Sequence, residues 1–270
     1  MTDPTTSPRL RRVTGGLFLL GALAFAVAAT VLSSTFDWPD ILREPPEVVL
    51  PAVHAGGPGL VWIWFATAWT YGVLAVPILL LPAVLERQGD PVLRAATWIG
   101  AASVVLSVIG FLRWVFVVPP LAAAHAAGDP AARAAVEAAW TAQHQFGGAL
   151  LGEHLGQVLV LGWSITFSTL ILYRRVLPAW LGVTGLVVSG IYLLNQGEVL
   201  ATAVPGFPVW EPAGLIGSTG WVLWVAALGV TLLRRPAGQE TPHRGRLSMH
   251  PPRQVPAGHR PDTLREGTPS

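Results

Sequence analysis

Seven polar or ionisable side chains fall inside long apolar stretches of this 270-residue sequence. They are Arg113, Glu153, His154, Gln157, Asn195, Gln196 and Glu198. Carboxylate, imidazole and guanidinium groups can pair with one another, bind a polar ligand or exchange a proton, and they are costly in hydrocarbon unless they have partners. We therefore take these residues as the candidate site and predict an ion pair between Arg113 and either Glu153 or Glu198.

The sequence contains no motif that assigns a catalytic role to these residues. It lacks the H-E-x-x-H, P-loop and G-x-S-x-G patterns, and the absence of cysteine excludes disulfides, thiolate nucleophiles and iron-sulfur ligands. His144 and His154 would lie about 15 Å apart on a continuous helix, too far to share a metal unless Gly147 and Gly148 interrupt it. We expect no catalytic residue, no metal and no other cofactor.

The elements that must position these side chains are apolar helices. Of all residues, 52% are hydrophobic and 12% are charged, about half the charged share of a soluble domain. A helix needs about 20 apolar residues to cross a bilayer. The sequence predicts an all-α, polytopic membrane bundle with six spans, at about 13–34, 60–85, 95–118, 146–173, 179–202 and 213–233.

The arginines predict how the chain is threaded. One side of the predicted bundle carries Arg9, Arg11, Arg12, Arg87, Arg94, Arg174, Arg175, Arg234 and Arg235, whereas the other side carries Arg43 and Arg133. Basic residues favour the cytoplasmic side, so both termini are predicted to be cytoplasmic, with 1–12 as an N-terminal segment and 236–270 as a disordered tail. The first span also resembles a signal peptide, but its apolar run continues to Ser34, which favours an uncleaved anchor.

This threading places the candidate site near the outer ends of three spans. Spans 3 and 5 run outward and span 4 runs inward, so the seven polar residues share the outer third of the bilayer. Gly148, Gly152 and Gly156 recur every four residues in span 4, which predicts close approach of a neighbouring helix. Trp114 and Trp140 lie near the predicted outer boundary and are expected to be interfacial anchors.

Several short motifs resemble a known family. They are Phe36–Pro45, the Gly56–Trp64 entry into span 2, Arg113-Trp114 followed by Val118-Pro119, His144–Gly156 and Leu177–Gly182. Together they resemble a family of bacterial integral membrane proteins called domain of unknown function 4386, over about residues 13–235. The resemblance implies a small polytopic helical protein of the bacterial inner membrane. It implies no activity and no catalytic residue.

Three functional hypotheses follow. The first is a non-enzymatic accessory or regulatory bundle in which the polar cluster holds the helices together. The alternatives are a small transporter or ligand-binding membrane protein that uses the cluster as an outward-facing site, and an enzyme acting on a lipid or quinone with Glu153 and His154 as acid and base. No inverted repeat or pair of interrupted spans is evident, which argues against a transporter. The expected partner is the lipid bilayer and not nucleic acid; a small-molecule ligand and a membrane protein partner stay open.

Overall fold

The structure is a computed structural model that describes residues 8–234, and this range contains helices and turns but no strand. The α-helices are α1 (Pro8–Phe36), α2 (Pro46–Gly72), α3 (Ala75–Val84), α4 (Pro91–Phe116), α5 (Val118–Ala127), α6 (Pro130–Gln143), α7 (Gly156–Arg174), α8 (Ala179–Leu194), α9 (Gln196–Ala201) and α10 (Pro212–Arg234). A 3₁₀ turn, Asp40–Arg43, precedes α2, and a π-helical segment, His144–Leu155, joins α6 to α7. The predicted tail, 236–270, and residues 1–7 lie outside the described range.

The predicted all-α membrane fold with six spans is confirmed. Within residues 8–234, six helical stretches are long and apolar enough to cross a bilayer: Pro8–Phe36, Pro46–Val84, Pro91–Ala127, Pro130–Arg174, Ala179–Ala201 and Pro212–Arg234. Their outward faces carry large exposed apolar side chains such as Leu20, Val27, Leu215 and Leu223. Such a surface is stable against lipid and not against water.

The spans form a closed ring in chain order. α1 packs against α2, α2 against α4, α4 against α7, α7 against α8, α8 against α10, and α10 against α1. Aromatic side chains fill the centre of the ring, including Phe18, Trp163, Phe167, Trp221 and Trp224. Trp221 Nε1 donates to Ser164 Oγ at 2.9 Å and Trp224 Nε1 donates to the Leu181 carbonyl at 2.9 Å, so these indole N–H groups are satisfied inside the bundle.

The two ends of the bundle differ in the length of their connections, and the polar cluster lies at the end with the longer ones. We call the end that holds Pro8 and Arg234 the proximal end, and the opposite end the distal end. Residues Phe36–Pro46, Gly128–Pro130 and Ala203–Glu211 connect the spans at the distal end. Any segment that covers a site near Glu153 and Glu198 must therefore come from the distal connections.

Several spans extend further in the distal direction than their predicted boundaries. Span 2 begins at Pro46 and not near residue 60, because Pro46 occupies the first helical turn, where a missing N–H costs nothing. Gly57 then adopts φ 53° and ψ −151°, which interrupts the helix before Pro58 begins the next piece. The region expected between spans 3 and 4 likewise forms α5 and α6, with the Asp129 side chain accepting from the Ala132 N–H at the start of α6.

These distal helices bury a second apolar core. It includes Leu32, Phe36, Leu50, Trp64 and Val118. Trp114 and Trp140 are 2% and 3% exposed and belong to the same core, so their expected role as interfacial anchors is wrong. The reason is that α2, α5 and α6 continue past the predicted boundary and enclose both rings.

Spans 2 to 5 each consist of more than one helical segment, which the sequence did not indicate. The junctions lie between α2 and α3, between α4 and α5, across the π-helical segment, and at Asn195 between α8 and α9. Only the first and sixth of the spans within residues 8–234 are single helices. The junctions at Val117 and Asn195 keep helical backbone angles, so they are bends and not unwound segments, and the absence of a pair of interrupted spans stays a prediction.

Candidate functional site

The centre of the site is an arginine that the sequence placed in an outer connection. Arg43 lies at the end of the 3₁₀ turn, and its guanidinium contacts carboxylates from two other elements. Arg43 Nη2 lies 2.5 Å from Glu153 Oε2, and Arg43 Nε lies 2.8 Å from Glu198 Oε1. We call these three residues the Arg43 network. It ties the α1–α2 connection to the π-helical segment and to α9.

The Arg43 network is partly buried. The side chains of Arg43, Glu153 and Glu198 are 26%, 22% and 32% exposed. Burial lowers the pKa of Arg43, but the two carboxylates outweigh this effect and hold the pKa above its usual value. A raised pKa keeps Arg43 protonated at neutral pH, so its contribution to stability is fully present there and is lost only at strongly alkaline pH.

The predicted ion pair of Arg113 is wrong. Within residues 8–234, no carboxylate lies within ion-pair distance of Arg113, because Arg43 occupies the positions beside Glu153 and Glu198. Arg113 Nη1 instead donates to the His144 carbonyl at 3.0 Å, and Arg113 Cζ lies 5.3 Å from the centroid of the Trp114 ring. A carbonyl at the start of the π-helical segment and an aromatic face thus replace the expected carboxylate.

Glycines create the space for Arg113. A Cβ at Gly148 would overlap the Arg113 guanidinium, and a Cβ at Gly110 would lie 2.8 Å from Gly152 Cα. A Cβ at Gly156 would lie 2.6 Å from Ser107 Oγ. The predicted close approach along Gly148, Gly152 and Gly156 is therefore confirmed, and the neighbouring helix is α4.

The π-helical segment brings the ends of this region into the site. It runs for 12 residues, whereas π-helical hydrogen bonding is usually confined to single turns that occur at functional sites. His144 at its start supports Arg113, and Glu153 near its end pairs with Arg43. One irregular segment thus supplies groups to both arginines.

The remaining predicted residues form a second hydrogen-bonded group beside the Arg43 network. His154 Nδ1 lies 2.6 Å from Gln196 Oε1, and Gln196 Nε2 donates to Gln157 Oε1. Gln157 Nε2 donates to the Tyr192 carbonyl at 2.8 Å, and Asn195 Nδ2 donates to Gln157 Oε1 at 3.4 Å. These contacts join α7 to the break between α8 and α9, where a helix carbonyl lacks its usual partner.

The two groups are adjacent. Gln196 Nε2 also lies 3.5 Å from the Glu153 carbonyl. Glu153, His154, Gln157, Asn195, Gln196 and Glu198 are thus brought together, as predicted from their common depth, whereas Arg113 lies behind them on α4.

A cavity of about 390 Å³ opens beside the Arg43 network. Its wall comes from the α1–α2 connection, the α6–π junction and α9. The lining residues are Leu42, Arg43, Glu44, Pro46, Trp140, Thr141, His144, Gln145, Glu198, Ala201 and Thr202. A volume of this size is in the range of small-molecule sites, and its wall combines apolar, aromatic and charged groups.

Three buried polar atoms near the Arg43 network have no hydrogen-bond partner in the described part of the chain. They are Glu153 Oε1, His144 Nδ1 and Arg113 Nε. Most buried polar atoms in proteins have a partner, so unsatisfied atoms point to water or a ligand. The cluster is therefore incompletely paired by residues 8–234.

The sequence did not identify Arg43 as part of the site. One signal was available, because a cluster with Glu153, Glu198 and only Arg113 has two carboxylates for one guanidinium. A further cation was needed to neutralise it. Arg43 also belongs to the Phe36–Pro45 motif, but its position outside the apolar stretches made it resemble an ordinary flanking charge.

The residues with possible acid–base chemistry are held by other polar groups. Among residues 8–234, no group of three or more His, Asp or Glu side chains is arranged to hold a metal ion. Both possible acid–base residues have conventional partners, since His154 contacts Gln196 and Glu153 contacts Arg43. What remains accessible from the cavity is a polar wall with carboxylates, hydroxyls and two rings.

Comparison with known proteins places the chain at the level of family. No curated protein and no solved structure matches it. The family model described as "Domain of unknown function (DUF4386)" matches residues 13–229, which include four of the six spans in full, most of the first and sixth, and the whole candidate site. The chain therefore belongs to the DUF4386 family of membrane-spanning helical proteins.

Proposed function

We propose that this protein is a membrane receptor or carrier component that binds a small polar ligand in the distal cavity. The observation that supports this proposal is the cavity of about 390 Å³, whose wall holds Arg43, Glu44 and Glu198 beside the polar side chains of Thr141, Gln145 and Thr202. A cluster that only fastened helices would need no such opening. The π-helical segment beside the cavity adds support, because π-helical turns occur frequently at functional sites.

A specific contact supports a second candidate function. The double ion pair of Arg43 joins three separate elements, which suits an accessory bundle whose cluster maintains the packing of the helices. The two functions make different predictions about blocking the cavity. Filling it would abolish ligand binding in the first case and have no functional effect in the second.

Filling the cavity tests the proposal directly. Ala201→Trp adds a large ring to the cavity wall, whereas Ala203→Trp adds the same ring to an exposed position two residues away, outside the lining. We expect small polar compounds that raise the melting temperature of the wild-type protein in nanodiscs to lose this effect in Ala201→Trp. Ala203→Trp should respond like the wild type.

The measurement is intrinsic tryptophan fluorescence during heating, screened against amino acids, amines, sugars and carboxylic acids. Equal responses of the two variants would contradict binding in this cavity. If no compound shifted the melting temperature of the wild type, the accessory function would be favoured.

We also propose that the distal end faces the outside of the cell and that both termini are cytoplasmic, in the inner membrane of a bacterium. The arginine distribution supports this orientation, since among residues 8–234 the distal connections contain only Arg43 and the distal helices α5 and α6 only Arg133. The native chain has no cysteine, so single cysteines can be introduced as reporters. Ala126 at the exposed end of α5 and Gly89 in a proximal connection are suitable positions.

In intact cells, a membrane-impermeant maleimide should label Ala126→Cys and should label Gly89→Cys only after permeabilisation. The reverse pattern would invert the topology. It would also place the cavity on the cytoplasmic side.

A further inference from the structure

We propose that the ligand of the distal cavity is a small organic cation, such as an amine or a guanidinium compound. This inference rests on the proposed ligand-binding function and specifies its chemical class. It depends on the balance of charges at the cavity wall, on the absence of an available cation there, and on the hydrogen-bond acceptors beside the carboxylates.

The cavity wall has an excess of negative charge. Glu44 and Glu198 line the cavity, and Glu153 lies directly behind Arg43. Arg43 is the only arginine or lysine among the lining residues, so two lining carboxylates face one guanidinium and leave an excess of one negative charge. An entering cation is attracted by this excess, and an entering anion is repelled.

The positive groups near the cavity are already engaged. Arg43 uses Nε and Nη2 for Glu198 and Glu153. Arg113 is 6% exposed, lies outside the lining and contacts the His144 carbonyl and the Trp114 ring. A carboxylate or phosphate ligand would find only Nη1 of Arg43 free of a carboxylate, and Nη1 already contacts the Leu42 carbonyl at 3.4 Å.

The rest of the wall suits a cation with an apolar portion. The Trp140 and His144 ring centroids lie 5.0 Å apart, and both residues line the cavity. Trp140 is 3% exposed, so the accessible part of this pair is the half-buried His144. Thr141, Gln145 and Thr202 offer oxygens that accept hydrogen bonds from an ammonium or guanidinium group.

The Arg43 network shows how carboxylates at this end of the bundle bind an organic cation. Two carboxylates from different elements hold one guanidinium at 2.5 Å and 2.8 Å. The acidic groups at this end of the bundle are thus arranged around a planar organic cation supplied by the chain. A free ligand would use Glu44 and the remaining oxygen of Glu198 on the cavity side.

The experiment compares ions of opposite charge and similar size. Wild-type protein in nanodiscs is heated with methylammonium, tetramethylammonium or methylguanidinium, and separately with acetate or methyl phosphate, at constant ionic strength. We expect the cations to raise the melting temperature in a saturable way and the anions to have no effect. The apparent affinity for the cations should fall about tenfold in Glu198→Gln and several-fold in Glu44→Gln.

Two variants are used so that a folding defect in one of them cannot be mistaken for a loss of binding. Glu198→Gln removes one partner of Arg43, but Glu44 makes no ion pair within residues 8–234, so Glu44→Gln leaves the network intact. Glu137→Gln is the matched control, because Glu137 pairs with His125 at 2.9 Å and does not line the cavity. It should bind the cations with wild-type affinity.

Each alternative result overturns a defined part of the inference. Stabilisation by anions instead of cations would refute the ligand class and leave a ligand-binding function standing. Cation binding that Glu44→Gln and Glu198→Gln leave unchanged would place the site elsewhere. A wild-type protein that responds to neither class, nor to any compound in the wider screen, would overturn the proposed function together with this inference.

Discussion

Arg43→Leu is expected to lower the melting temperature of the protein by about 5–10 °C. The substitution leaves Glu153 and Glu198 without their cationic partner while both remain largely enclosed. Removing one partner of a fully buried pair costs about 3–5 kcal/mol, and the partial exposure of these groups reduces this to about 2–3 kcal/mol. For a chain of this size, a loss of 1 kcal/mol lowers the melting temperature by about 2–4 °C.

The control variant Arg133→Leu distinguishes this effect from a general loss of positive charge. Arg133 is also a distal arginine, but it is exposed and its Nε contacts only the His125 carbonyl, at 3.2 Å. Arg133→Leu should change the melting temperature by less than about 2 °C. Adding Glu153→Gln and Glu198→Gln to Arg43→Leu should recover part of the loss, because neutral amides no longer require a cation. Equal melting temperatures of Arg43→Leu and Arg133→Leu would mean that the network contributes nothing to stability.

Gly110→Leu is expected to destabilise the bundle by about 3 kcal/mol or to prevent recovery of folded protein. Gly110 on α4 faces Gly152 in the π-helical segment, and an added Cβ would lie 2.8 Å from Gly152 Cα. A backbone atom cannot move aside as a side chain can, so α4 and the π-helical segment must separate. Arg113 and Glu153 flank this crossing, and the separation should therefore disturb both.

The control for this variant is Gly190→Leu. Gly190 lies on the exposed face of α8, and nothing lies within 4 Å of an added Cβ. This variant should fold with wild-type yield and melting temperature, measured by size-exclusion chromatography and tryptophan fluorescence in detergent. A Gly110→Leu protein that behaved like Gly190→Leu would contradict the close crossing of α4 and the π-helical segment.

Part of the site was predictable from the sequence because polar residues are rare in apolar stretches. Glu153, His154, Gln157, Asn195, Gln196 and Glu198 are uncommon in apolar stretches, and their spacing on antiparallel spans implied a common depth. Residues at one depth in a small bundle contact one another if they face its interior. The structure brings these six together, and it identifies α4 as the close neighbour of the span 4 glycines.

The choice of partners was not predictable in the same way. Arg113 was the only cation in an apolar stretch, so pairing it with a glutamate was the simplest hypothesis. Arg43 is in a polar connection, and its contact with Glu153 spans 110 residues of sequence. Such a contact depends on how the α1–α2 connection folds over the distal end, which no local pattern specifies.

The sequence by itself determined the class of the protein and the number and order of its spans, because the cost of exposing a peptide group or a charge to hydrocarbon is large and acts on each segment separately. Only the tertiary structure decided which arginine the glutamates contact, where the distal helices extend, and that a cavity remains beside the cluster. These features depend on the packing of segments that are distant in the chain. Their energies are small differences between competing contacts, so composition and periodicity do not reveal them.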